Sequence, residues 1–138
     1  MRIMAIDYGD AHTGIAISDP TGFLAGYTTV INAYRPEAVV DKICELIAEY
    51  SVEELVLGHP INMDGSRGPR SEKAQAMKTL LEERTSLPVV LWDERRTTVD
   101  AHQILFNSGK NAKQRKKVVD AVAASLILEG YLTYKKNH

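Results

Sequence analysis

Three carboxylates sit where a chain ordinarily avoids them. Asp7 closes the apolar run Ile3-Met4-Ala5-Ile6. Glu94, with Asp93 beside it, follows Val89-Val90-Leu91-Trp92. Asp120 lies inside Val118-Val119-Asp120-Ala121-Val122-Ala123-Ala124. A carboxylate at the margin of a core is costly unless it is paired or bound to a cation. Acids drawn together from such distant stretches repel one another, and hard divalent cations such as Mg²⁺, which prefer oxygen ligands, relieve that repulsion. Metal-assisted phosphate chemistry is the expectation if the three converge.

The cations are distributed to match. The net charge of −1 hides an asymmetry: residues 1–60 carry nine acids against three Lys/Arg, a net −6, and residues 61–138 carry nine against fourteen, a net +5. The basic residues gather at Arg67 and Arg70, at Arg95-Arg96, and in KNAKQRKK, where Lys110, Lys113, Arg115, Lys116 and Lys117 stand without an acid. Such a segment is ordinarily a solvated face. Directly ahead of Asp120 it is also placed to grip phosphates.

The elements that must position these groups can be read from periodicity. Arg2–Asp7 reads as a buried strand, Gly9 to Gly14 as a turn, and Ile15–Ser18 and Tyr27–Ile31 as two more strands separated by Pro20-Thr21-Gly22. Tight turns between the three predict an antiparallel meander. Pro36 opens a helix to Tyr50, with Val39, Ile43, Leu46, Ile47 and Tyr50 on its inner face and Glu37, Asp41, Glu45 and Glu49 facing water. Leu55–Leu57 is a short strand, and Gly58 to Arg70 a Gly- and Pro-rich loop. Pro69 starts a second helix to about Arg84, and Val89–Trp92 is a further strand. Thr97 or Thr98 caps a short helix to about Phe106, and the last helix spans about Gln114 to Tyr134. The order βββαβαβαα predicts an α/β fold, a mixed sheet covered by helices. In the last helix Val119, Val122, Ala123, Leu126 and Ile127 form the apolar stripe, and Asp120 falls on its edge. Ala121, Ala123 and Ala124 are small enough for close approach to the sheet.

Plainer readings stand beside these. Asp-x-Gly after a strand is a hairpin signal, and sugar kinases and actin-like ATPases use it near their phosphates, although those enzymes close two such lobes and this chain has room for one. An acid in the first turns of a helix is favoured by the helix dipole. Asp93 and Glu94 should point different ways, either can pair with Arg95 and Arg96, and alternation alone does not say which joins Asp7. His12, His59, His102 and His138 show no paired ligand spacing, and Ser66 and Ser71 have no evident triad partner. The loop that ends at Arg70 leads into a helix N-terminus, where free N–H groups can hold a phosphate.

Bulk properties bound the class. A chain of 138 residues is expected to form one domain over 1–138. No apolar run reaches transmembrane length and no signal-peptide layout precedes the first strand. Cys44, the single cysteine, reads as a half-buried structural thiol, which fits a reducing cytoplasm.

Four ordered motifs then point to a family. IDYGDAHTGIAISD (Ile6–Asp19), GHPINMDGSRGP (Gly58–Pro69), PVVLWDERRTT (Pro88–Thr98) and KKVVDAVAASLIL (Lys116–Leu128) resemble the YqgF/RuvX family of small bacterial RNase H-like proteins over nearly the full length. The family is described as a nuclease maturing the 5′ end of pre-16S rRNA. It has also been labelled a Holliday-junction resolvase, for its likeness to RuvC. The resemblance implies an RNase H-like, RuvC-like mixed five-stranded sheet flanked by helices. It maps the acidic triad to Asp7, Glu94 and Asp120, favouring Glu94 over Asp93. One departure is visible: His12 stands where the family commonly has Arg, which makes a basic contact there weaker or pH-dependent.

Together these features predict a phosphodiesterase acting on structured RNA. Asp7, Glu94 and Asp120 would be both its catalytic residues and its ligands for one or two Mg²⁺ or Mn²⁺ ions. Arg67, Arg70, Arg95, Arg96, Lys110, Lys113, Arg115, Lys116 and Lys117 would hold the backbone, which positions a substrate without reading its sequence. The expected protein is cytoplasmic, away from membranes, and a monomer or weak homodimer. A resolvase would apply the same chemistry to branched DNA but needs a dimer to cut two strands symmetrically. A non-catalytic nucleic-acid module would have no use for three acids, and an ATPase fragment would bind ATP and cut nothing.

Overall fold

The computed structural model describes residues 1–19, 25–60, 65–93 and 112–137, with backbone alone for 25, 112–120 and 137. Among these residues five strands and three helices follow one another as β1 (Arg2–Asp7), β2 (His12–Ser18), β3 (Ala25–Asn32), α1 (Pro36–Tyr50), β4 (Val52–His59), α2 (Pro69–Thr85), β5 (Val89–Asp93) and α3 (Ala112–Asn137). The Pro20–Gly22 turn and the short helix expected between Thr97 and Phe106 lie outside the described residues.

The strands form one sheet in the order β3-β2-β1-β4-β5. β1 is central because Ile3, Met4, Ala5 and Ile6 are apolar on both faces, a pattern that only a strand covered on both sides tolerates. β1 pairs antiparallel with β2 and parallel with β4, and β4 pairs parallel with β5. The meander β1-β2-β3 is antiparallel, as its short turns require. The sheet is therefore mixed and five-stranded. Gly9 earns its place in the first turn: a Cβ there would run into the His12 carbonyl oxygen.

Two expectations on length change. β4 runs over Val52–His59 instead of Leu55–Leu57, and β2 starts at His12 instead of Ile15. Hydrophobic pattern marks only the buried middle of a strand, whereas backbone pairing to both neighbours carries β4 through polar Glu53, Glu54 and His59.

The two faces carry separate cores. α1 and α2 cover Met4, Ile6, Ile15, Ile17, Leu55, Leu57 and Val89, and α3 covers Ile3, Ala5, Ala16, Val56 and Trp92. On α1, Val39 and Ile43 are buried and Leu46, Ile47 and Tyr50 pack against that core, as the spacing predicts; Cys44 is half-buried beside them. The parallel pairings bring the C-terminal ends of β1, β4 and β5 to one edge of the sheet, together with the start of β2.

Candidate functional site

Asp7 ends the middle strand at that edge. Ile3 and Ala5 face α3, so two-residue alternation puts Asp7 on the α3 side as well. Its register partner on β2 is Gly14, and Gly58 follows Leu57 on β4. Neither glycine has a side chain to crowd a ligand beside the carboxylate. Asp7 is half-buried.

α3 brings the second acid's position to the same face. Its buried residues are Ala124, Ile127, Leu128, Tyr131 and Leu132, while Val122, Ala123 and Leu126 are only half-buried. The stripe is thus rotated from the expected one. The rotation follows from Tyr131, which turns inward so that its hydroxyl donates to Glu54 Oε1 at 2.8 Å, and from Gly130, which backs onto the Trp92 ring. Position 120 then shares a face with 124, 127 and 131, within the stripe and not on its edge. Tyr131 and Lys135 both bind Glu54 near the start of β4. The earlier turns extend back along the sheet, position 120 lying about 16 Å before Tyr131 on the helix axis.

The adjacent pair Asp93-Glu94 is divided by register. Val89 and Leu91 pack on the α1/α2 side, and Asp93 follows them there, paired with His59 across β4 and β5. Asp93 thus lies on the opposite side of the sheet from Asp7. Glu94, Arg95, Arg96 and Lys110 lie outside the described residues. Lys113, Arg115, Lys116 and Lys117 fall on the first turns of α3, which begins at Ala112, ahead of the expected Gln114, and that first turn holds no acid.

Arg67 and Arg70 flank the start of α2 and are exposed. Lys73 donates to Asp10 Oδ1 at 2.7 Å, tying the β1–β2 turn to α2. That bond, and the nearby charges of Lys73 and Arg70, hold the Asp10 carboxyl below the usual carboxylate range. Arg70 therefore stands close to the turn that follows Asp7. His12 lies on the same face as Gly14, and its Nδ1 donates to Asn32 Oδ1 at 2.6 Å.

One pair escaped the sequence reading. His59 Nε2 lies 2.6 Å from Ser71 Oγ, and both side chains are buried. Burial, then the Arg67 charge, push the His59 ring below its ordinary value, against a raising influence from Asp93. The two residues are far apart in the chain and belong to different elements, so no spacing signal could have joined them.

Among the described residues no three His, Cys, Asp or Glu side chains come together in a way that could hold a metal ion. Of the three expected ligands only Asp7 has a described side chain. Its half-buried oxygen donor, opposite a glycine at a strand end, fits a hard cation.

A family profile described as "RuvX: Holliday junction resolvase" matches residues 1–134. The chain belongs to the RuvX family. A relative from Halothermothrix orenii bears the name "Putative pre-16S rRNA nuclease"; it is 47% identical over 135 residues, spanning 98% of this chain and 96% of its own. Among solved structures, Thermus thermophilus RuvC in complex with a Holliday junction substrate superposes with a TM-score of 0.64 at 14% identity, over 98% of this chain and 96% of that one. Fowlpox virus resolvase in complex with Holliday junction DNA gives 0.53 at 11% identity, over 99% and 98%. At such identities these likenesses speak to fold. The RuvX chain has the RNase H-like architecture that its motifs implied.

Proposed function

We propose that this RuvX protein is a metal-dependent nuclease that hydrolyses phosphodiester bonds of structured RNA in 5′-end maturation of pre-16S rRNA. The observation that carries the reading is the shared face of Asp7 and position 120, on a chain nearly coextensive with a relative named for that activity. Asp93, on the other face, is set aside in favour of Glu94.

In this reading Asp7, Glu94 and Asp120 hold Mg²⁺ or Mn²⁺, as one or two ions. When bound, such ions activate a water and neutralise charge on the departing 3′ oxygen. Asp7, on the central strand, would be the ligand in the middle of the acidic set. Arg67 and Arg70 hold substrate phosphates beside the β1–β2 turn. Arg95, Arg96, Lys110, Lys113, Arg115, Lys116 and Lys117 serve the same purpose. The basic first turn of α3 carries no acid to compete for a phosphate, and the helix dipole adds to its pull on anions. We place the activity in a single domain over 1–138 and in the cytoplasm. Among the described residues no helix is long and apolar enough to cross a membrane.

A second reading is cleavage of branched DNA, favoured by the family description and the RuvC-like fold. It requires two copies acting together. End-labelled pre-16S leader RNA and a four-way DNA junction, each incubated with wild type and Asp7→Asn in Mn²⁺ and in EDTA, separate the two. RNA cutting that needs metal and Asp7 supports the nuclease of rRNA. Junction cutting alone supports the resolvase. RNA binding without cutting of either substrate sinks both.

A further inference from the structure

Ser71, His59 and Asp93 are the residue types of a serine hydrolase relay, and His59 stands between the other two. His59 Nε2 meets Ser71 Oγ at 2.6 Å, and His59 and Asp93 are register partners with side chains on the same face. Ser71 is only 1% exposed, however, and His59 only 6%. No substrate reaches that hydroxyl, so the constellation does not attack anything. Its chemistry serves connection.

What it connects is specific. His59 is the last residue of β4, Asp93 is the last of β5, and Ser71 lies in the first turn of α2. Arg67 precedes that turn and Arg70 lies within it, and Glu94 directly follows Asp93. A buried hydroxyl and a buried imidazole must find partners, and each satisfies the other only when α2 and the strand ends are in register. Where burial disfavours charging, the ring keeps one bare nitrogen, and a neutral His59 with that nitrogen at Nε2 accepts a hydrogen bond from the Ser71 hydroxyl. Gln75, one turn further along α2, places its amide nitrogen 3.5 Å from the same ring nitrogen.

We propose that His59 is a positioning residue that locks the first turn of α2 to the ends of β4 and β5, fixing the phosphate-holding Arg67 and Arg70 relative to the acid-bearing edge. The proposal rests on the nuclease reading above for its substrate, and on the buried bond alone for its mechanics. A leucine fills the same space without the bond, and a glutamine keeps a polar group in reach of Ser71.

The test compares the full-length wild type with His59→Leu, His59→Gln and Ser71→Ala. It reads amide hydrogen exchange over residues 67–73, KM and kcat on leader RNA, and Tm. His59→Leu and Ser71→Ala should speed exchange in the first turn of α2 and raise KM about tenfold, the scale of losing a supporting hydrogen bond behind a site. The change in kcat should be smaller, and His59→Gln should recover part of the loss. Exchange and KM unchanged in both His59→Leu and Ser71→Ala, whatever their Tm, would overturn the proposal. Should His59→Leu fail to fold, Ser71→Ala removes the other end of the same bond and decides alone. If wild type does not cut RNA, the nuclease reading falls, and the exchange measurement still decides whether the lock exists.

Discussion

The two faces of the sheet are built from different material. The α1/α2 face is filled with large branched side chains, among them Met4, Ile6, Ile15, Ile17, Leu55 and Leu57. On the α3 face β1 and β2 offer Ala5, Gly14 and Ala16 beside Ile3, and the helix answers with Ala124 and with Gly130 against Trp92, its bulk lying further along at Ile127, Leu128, Tyr131 and Leu132. A Cβ on Gly130 would sit 3.2 Å from the Trp92 ring, so the helix is already seated as closely as its backbone allows. Bulk stabilises the first face. On the second, small residues bring a helix near the strands. Asp7 and position 120 lie on the thin side, and the ballast on the thick one.

This contrast can be broken in order of expected effect. Asp7→Asn strikes the thin face at its acid, and nuclease turnover should fall more than about a hundredfold, since even groups that only support metal ligands cost that much. Tm should change little, because Asp7 is half-buried at a strand end. An active Asp7→Asn would remove the catalytic assignment. Leu57→Ala does the reverse. Its site is fully buried in the thick core, so denaturant unfolding should show a loss of about 2–5 kcal/mol, with activity retained under folding conditions. Ala124→Leu sharpens the comparison, because it adds volume where the thin face has none to spare. It should cost about 1–3 kcal/mol and also lower activity, by lifting the helix that carries Asp120. Should Ala124→Leu be as stable and active as wild type, the close seating of α3 has no function.

The smallest effect is on pH. The folded-state value of His59 lies below its ordinary 6.5, chiefly because the ring is buried. The unfolded chain thus takes up a proton more readily than the folded one. The contribution is fully present above about pH 6.5 and is lost as pH falls through the lower folded value. Unfolding curves of wild type should therefore weaken in that acid window, and His59→Leu should flatten this part of the profile. Equal pH slopes for both proteins would show that His59 does not titrate on unfolding.

Local information was legible in the sequence and lateral information was not. α1 matches its expected bounds because Pro36 marks its start and a clean apolar period marks its inner face. The five strands and their mixed pairing followed from the order of elements. β4 is longer than its apolar run because its ends are polar and held by neighbours. The stripe of α3 was displaced because Tyr131 and Leu132, beyond the apolar run, help set the helix rotation. Strand alternation alone leaves Asp93 and Glu94 open and only the family resemblance favours Glu94; the pairing of His59 with Asp93 fixes which side of the sheet Asp93 occupies. The His59–Ser71 bond joins the end of a strand to a helix across an intervening loop, and nothing in either neighbourhood announces it.

The order of the chain adds a consequence in time. The meander β1–β3 pairs neighbours and emerges early in synthesis, but its second face is covered by α3, the last of the described elements. Until α3 is released, Ile3, Ala5, Ala16, Val56 and Trp92 have no cover, and the nascent chain lacks the acid at position 120. A ribosome making this protein therefore exposes one apolar face of the sheet until α3 has left it, and the same late helix closes that core.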